Sequence, residues 1–76
     1  MTLLDFAPGD RGTIQSIDSA HIDFASRMYS LGMVPGQQIQ MLHQAPFGDP
    51  MQVRVGQTLV SIRRRDAEVI KLDKDQ

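Results

Sequence analysis

The chain has 76 residues, a formal net charge of −1 at pH 7 and a pI near 6.0. A chain this short forms one domain, residues 1–76, and its lack of cysteine excludes both a disulfide scaffold and a thiolate zinc site. The charge argues against a protein that binds nucleic acid over its whole surface, and no apolar run approaches the roughly 20 residues of a membrane span. We therefore expect a soluble cytoplasmic protein without direct membrane insertion.

The first part of the chain predicts a turn, a strand and a helix, in that order. The turn covers Asp5–Gly12, and the strand covers Thr13–Ile17. A helix follows at about His21–Leu31, with Asp18 and Ser19 as candidate N-terminal caps. Its apolar residues recur at three- and four-residue spacing, which predicts one face packed on a core: Phe24, Ala25, Met28 and Leu31.

The helix is predicted to end in a corner that directs the chain into its next strand. Gly32 can adopt the left-handed conformation that ends a helix. Pro35 and Gly36 suit the second and third positions of a type II turn, since the third position requires a positive φ. These three residues are predicted to have a structural role in the backbone.

The rest of the chain is predicted to be mostly strands. The elements are strands at Gln38–Ala45, Met51–Val55, Thr58–Arg63 and Val69–Leu72, and a helical turn at Arg65–Glu68. Turn-forming residues between the first two of these predict a hairpin connection: Pro46, Gly48, Asp49 and Pro50. Lys74–Gln76 is predicted to be a loose end. The fold class is mainly β, a small five-stranded barrel with one short α-helix between the first and second strands.

No residue pattern for catalysis, nucleotide binding or metal binding is present. The two histidines, His21 and His43, lie on different predicted elements and outside any tight ligand cluster. The sequence contains no serine nucleophile motif and neither of the familiar glycine-rich nucleotide loops. We predict a protein that is not an enzyme, with no catalytic residue, no metal ligand and no cofactor.

Two surface features are candidates for binding. Arg63–Arg65 is the one dense run of charge, interpreted as a solvated strand end with weak ion pairs. The alternatives are a nucleic-acid surface, if Arg54 joins it, and docking to an acidic protein surface. Apolar residues in the turns form the second feature. We expect a partner-binding surface made of Met33, Val34 and Phe47, with Arg64 at its polar rim. The alternative is that Phe47 folds back and covers the open end of the barrel.

Three segments together resemble the FeoA family. They are Arg27–Gly36, Ala45–Pro50 and the stretch from Ile62 through Arg64 that leads into Ala67. The resemblance implies an SH3-like barrel and a role as a small cytosolic accessory protein of bacterial ferrous iron (Fe²⁺) transport. It also implies a partner, FeoB, a membrane transporter that carries a cytosolic G-protein domain.

The resemblance leaves alternatives open. The same domain occurs at the C-terminal end of iron-dependent repressors, so a small regulatory or nucleic-acid-associated barrel is the second interpretation, although we expect no winged-helix region before it. Direct carriage of Fe²⁺ is a third. Self-association stays open, as does the choice between activating a GTPase, scaffolding the transporter and gating it.

Overall fold

A computed structural model describes residues 1–18 and 20–75 as one antiparallel sheet with a helix beside it. The strands lie in the order β4-β3-β2-β1-β5, which is a meander whose last strand returns to pair with the first. The bounds are β1 Arg11–Ile17, α1 Ile22–Ser30, β2 Gln38–Gln44, β3 Met51–Val55, β4 Thr58–Ile62, α2 Arg64–Ala67 and β5 Ile70–Lys74. The predicted mainly β class, with five strands and one helix between the first two, is confirmed.

Two irregularities bend the sheet around its core. The pairing of β1 with β5 shifts between Ile14 and Ser16, and the pairing of β2 with β3 shifts between Met41 and His43. An extra residue on one strand lets Ile14 and Ile17, three positions apart, both face the core, which strict alternation forbids. Such bulges increase local twist and allow five short strands to enclose a single core.

The C-terminus of α1 forms a Schellman motif. The Gly32 amide donates to the Tyr29 carbonyl at 3.0 Å, and the Met33 amide donates to the Met28 carbonyl at 3.0 Å. Gly32 has φ +93°, so the left-handed position predicted for it is confirmed. This motif folds Met33 back toward the helix, and both methionines are buried. The expectation that Met33 is an exposed anchor is therefore wrong: it is a core residue.

The N-terminus of α1 differs from the prediction. The N-cap is His21, whose side chain makes no capping hydrogen bond, and the helix begins at Ile22. Asp18 is held at the end of β1 because its amide donates to the Val69 carbonyl at 2.8 Å, so it is not the cap. Ser19, the other candidate, lies outside the described residues.

The first residues of the chain close one edge of the sheet. Leu3–Asp5 forms a 3₁₀ turn capped by Thr2, and Leu3 is buried. Thr2 pairs with Lys71 as an isolated bridge, and the Leu72 amide donates to the Met1 carbonyl at 2.9 Å. The outer edge of β5 is therefore covered by backbone, an arrangement that the sequence does not predict.

Gly12 and Lys74 belong to strands, contrary to their predicted places in a turn and in a loose end. Lys74 pairs with Gly12 across β5 and β1, and its Nζ lies 2.9 Å from the Asp10 carboxylate. A hydrogen bond from the Ala7 amide and the contact with Lys74 lower the pKa of Asp10 below its ordinary value. The ion pair between Asp10 and Lys74 therefore links the turn before β1 to β5. Gln76 lies outside the described residues.

The turn at Pro35–Gly36 has the predicted geometry. The Gln37 amide donates to the Val34 carbonyl at 3.0 Å, and Gly36 has φ +91°. The Gly36 amide also donates to the Ile14 carbonyl at 2.8 Å, which joins the corner to β1. A Cβ at Gly36 would meet nothing within 4 Å, so the requirement for glycine there is conformational.

We expect Gly36→Val to lower the free energy of unfolding by about 1–2 kcal/mol, because a β-branched residue is forced into a left-handed conformation. Gly36→Asn is the matched control. Asparagine tolerates this region and has the same open space, so it should cost clearly less. Urea unfolding of both variants measures the difference, and equal midpoints for Gly36→Val and the parent protein would show that the conformational argument is wrong.

Candidate docking surface at the proline loop

The proline loop, residues 46–50 between β2 and β3, presents an aromatic ring to solvent. Pro46–Gly48 forms a 3₁₀ turn in which Phe47 has φ +66° and ψ +13°, a left-handed conformation that is uncommon for a bulky residue. The relative exposure of Phe47 is 102%. The alternative in which Phe47 covers the barrel end is therefore wrong, because its ring contacts no core residue.

Asp49 fixes this loop to the start of α2. Its Oδ1 accepts a hydrogen bond from the Arg64 amide at 3.2 Å and lies 3.9 Å from a guanidinium nitrogen of Arg63. Gly48 lies against the Arg64 side chain, since a Cβ on Gly48 would be 3.3 Å from Arg64 Nη1. The loop and α2 therefore bring a guanidinium next to the residue that follows Phe47. Phe47 and Arg64 therefore lie close to each other, and their role as apolar anchor and polar rim stays a prediction.

Val34 does not share a surface with Phe47. It is 38% exposed at the corner before β2, whereas Phe47 follows the end of β2. That strand has seven residues, and at about 3.3 Å per residue its ends lie on the order of 20 Å apart. The residues that were expected to form one patch therefore lie in two separate places, and the candidate docking surface consists of Phe47 and Arg64.

The arginine run does not form one surface with Arg54. Arg63 is the N-cap of α2, which turns Arg64 and Arg65 onto a helix. Ile62 pairs with Met51 while Arg54 pairs with Leu59, so Arg54 lies at the other end of the β3–β4 hairpin from Arg63. The nearest carboxylates are Asp49, exposed and 3.9 Å from Arg63, and Asp66, half-buried and 4.0 Å from Arg65. The arrangement agrees with weak local ion pairs and removes the feature that favoured a nucleic-acid surface.

Within residues 1–18 and 20–75, no group of three or more histidine, aspartate or glutamate side chains is placed to hold a metal ion. His21 and His43 are both exposed. No helix in the same part of the chain is long and apolar enough to cross a membrane.

The role of Asp49 was missed in the sequence. It appeared only as a turn residue, because its partner Arg64 is fifteen positions away and no local pattern links the two. A carboxylate facing the first amide of a short helix is a common device, but recognising it requires knowing that the loop and α2 are neighbours.

Comparisons with known proteins agree with this fold. The family model of the FeoA domain matches residues 1–74. A fusion protein of Porphyromonas gingivalis, named as Fe(2+) transport protein A joined to Fe(2+) transporter FeoB, is 32% identical over 73 residues. The match covers 96% of this chain and only 8% of that protein.

Two solved structures extend the comparison to three dimensions. A FeoA protein of Chlorobium tepidum gives a TM-score of 0.89 at 33% identity, covering 95% of this chain and 68% of that one. A FeoA of Stenotrophomonas maltophilia was crystallised with zinc and is described as a prokaryotic SH3 domain protein. It gives a TM-score of 0.86 at 27% identity, covering 100% of this chain and 96% of that one. The SH3-like barrel is confirmed.

Proposed function

Because the chain belongs to the FeoA domain family, which is associated with ferrous iron transport, we propose that it is a cytoplasmic accessory protein without catalysis of its own that binds the cytosolic side of FeoB. The observation that carries the proposal is the P. gingivalis fusion, in which a relative of this chain and a FeoB are one polypeptide. Fusion raises the effective concentration of two modules, and it is useful when they work together.

The proline loop is the surface we assign to this interaction. Phe47 is fully exposed on a loop that Asp49 fastens to α2, and Arg64 lies beside it. A rigid backbone presents the aromatic ring at low entropic cost on binding. Aromatic residues and arginines are the usual centres of binding energy in protein interfaces.

The direct test is a binding measurement between this protein and FeoB in detergent, with the protein immobilised through an engineered tag. We expect saturable binding that survives removal of the membrane-embedded part of FeoB, because the proposed contact is cytosolic. Binding that requires only the membrane-embedded part, or no binding to FeoB in any form, would overturn the proposal.

The protein alone is expected neither to bind nor to hydrolyse GTP, since neither familiar phosphate-binding loop occurs in the sequence. Isothermal titration calorimetry with GTP and Mg²⁺ measures this, and the isolated G-protein domain of FeoB serves as the positive control. Saturable heat on titration of the protein would contradict the expectation.

We also expect the isolated protein to bind Fe²⁺ weakly or not at all, because His21 and His43 belong to no ligand cluster. Anaerobic equilibrium dialysis at equimolar Fe²⁺ measures the bound fraction. Tight stoichiometric binding would support direct carriage of the ion instead. A His43→Gln variant would then show whether that imidazole takes part.

A further inference from the structure

The two edges of the sheet differ. Met1 and Thr2 cover the outer edge of β5, but among the described strands β4 pairs with β3 alone. The two-residue turn Gly56–Gln57 makes Val55 and Thr58 the hydrogen-bonded pair that closes the β3–β4 hairpin. Pairs alternate along an antiparallel ladder, so the backbone groups of two β4 residues point away from β3: Leu59 and Ser61.

These outward groups have no backbone partner in the part of the chain that the structure describes. They border a groove of about 320 Å³ between β4 and α1. Its apolar lining comes from the helix and the strand, and it includes Phe24, Met28, Leu31, Leu59 and Val60. Leu59 is 56% exposed, which is high for a leucine beside a core. The edge is thus open next to an apolar channel, where an extended chain can pair with it.

The groove also carries the guanidinium of Arg27. Arg27 lies over the Phe24 ring, 5.7 Å from its centroid, and makes no ion pair among the described residues. The other charges that line the groove do have opposite partners nearby. Arg63 lies 3.9 Å from Asp49, and Asp66 lies 4.0 Å from Arg65. The unmatched charge in the groove is therefore positive.

The groove continues toward the N-terminus of α1. A second open cleft of about 810 Å³ shares Phe24, Arg27 and Asp66 with the first and extends to Ile22 and Asp23. The Asp23 carboxylate makes no ion pair among the described residues, so the unmatched positive charge belongs to the part of the groove beside β4. Together the two run along the whole helix. Five strand residues extend about 17 Å, which is enough to hold a segment of five or six residues.

We propose that the groove between β4 and α1 binds an extended segment of a partner protein, which adds a sixth strand at β4 and carries aliphatic residues with a carboxylate that reaches Arg27. Backbone hydrogen bonds to Leu59 and Ser61 hold the segment, as in other domains that bind peptides by strand addition. Aliphatic side chains of the segment contact the apolar lining of the groove, and the positive charge of Arg27 favours an acidic segment over a basic one. The inference does not depend on the docking role of Phe47.

Synthetic hexapeptides test the proposal. The probes are acetylated and amidated peptides of alternating valine and threonine, in which one central threonine is replaced by aspartate, asparagine or lysine. A further probe is the aspartate peptide with N-methylated backbone amides. Titrations are followed by ¹H–¹⁵N correlation spectra of the whole protein. We expect the aspartate peptide to shift the amides of Leu59 and Ser61 and to bind at least about fivefold tighter than the lysine peptide. The N-methylated peptide should not bind.

Two variants give the matched comparison. Arg27→Gln should remove the preference for aspartate. Arg11→Gln should leave it unchanged, because Arg11 is an exposed arginine on β1 that also has no ion pair within residues 1–18 and 20–75. Three results would overturn the proposal: no shift at Leu59 or Ser61 with any peptide at millimolar concentration, equal binding of the N-methylated peptide, or a dimer in sedimentation velocity that protects these amides from hydrogen exchange. The last result would assign the edge to a second copy of this chain.

Discussion

Phe47→Ala is expected to weaken binding to FeoB about thirtyfold, which corresponds to roughly 2 kcal/mol, while the urea midpoint of the protein stays within error. The ring is fully exposed, so truncating it removes no packing from the core. In a complex the same ring would be desolvated, and aromatic anchors of this kind account for most of the energy of many interfaces.

Val34→Ala is the matched control for this prediction. Val34 is also an exposed apolar residue next to a turn, but it lies at the other end of β2. It should change the affinity less than about twofold, because scattered contacts outside the centre of an interface contribute little. If both variants bind as the parent does, the proline loop has no part in docking. A larger loss of affinity from Val34→Ala than from Phe47→Ala would instead place the docking surface at the corner between α1 and β2.

Gly12→Ala is expected to lower the free energy of unfolding by about 2–3 kcal/mol, a large share of the roughly 4–11 kcal/mol typical of a chain this size. A Cβ at Gly12 would run into the Asp73 carbonyl oxygen, and it would lie 2.6 Å from Cζ of Phe6. The ring can shift, but the carbonyl belongs to the backbone of β5, which pairs with β1 on this side. Urea unfolding with a two-state fit measures the loss.

Two further variants separate the causes. Gly9→Ala changes a glycine with φ +94° and open space around it, so it reports conformational strain without a clash. A double-mutant cycle with Phe6→Leu isolates the contribution of the ring. We expect only partial recovery in Gly12→Ala/Phe6→Leu, because the Asp73 carbonyl remains in place. Full recovery would show that the backbone contact is unimportant.

Local rules account for the parts of the fold that the sequence predicts. Gly32 and Gly36 were placed correctly because each needs a positive φ at a position defined by its immediate neighbours. The strand pattern of β2 and β3 follows from alternation, with Ile39, Met41 and Val53 all buried. These features require no knowledge of the remainder of the chain.

The errors arise where distant residues decide the outcome. Gly12 was assigned to a turn, as glycine usually weakens strands, but β1 needs it because Phe6 and β5 approach closely there. Met33 was expected on the surface because it lies in a loop. A signal was available, since a helix that ends in a Schellman motif often pairs an apolar residue after the glycine with one in its last turn, here Met28. No local sequence pattern indicated the hydrogen bond between the Asp49 carboxylate and the Arg64 amide.

The left-handed backbone at Phe47 has an evolutionary consequence. This conformation costs a residue with a Cβ about 1 kcal/mol or more, and the exposed ring returns none of it by burial. In a library screened only for resistance to proteolysis, position 47 would drift toward glycine or asparagine. In cells that depend on ferrous iron for growth, the aromatic ring would be retained if the loop docks as proposed. If the loop docks in this way, selection for folding and selection for uptake would act in opposite directions at this position.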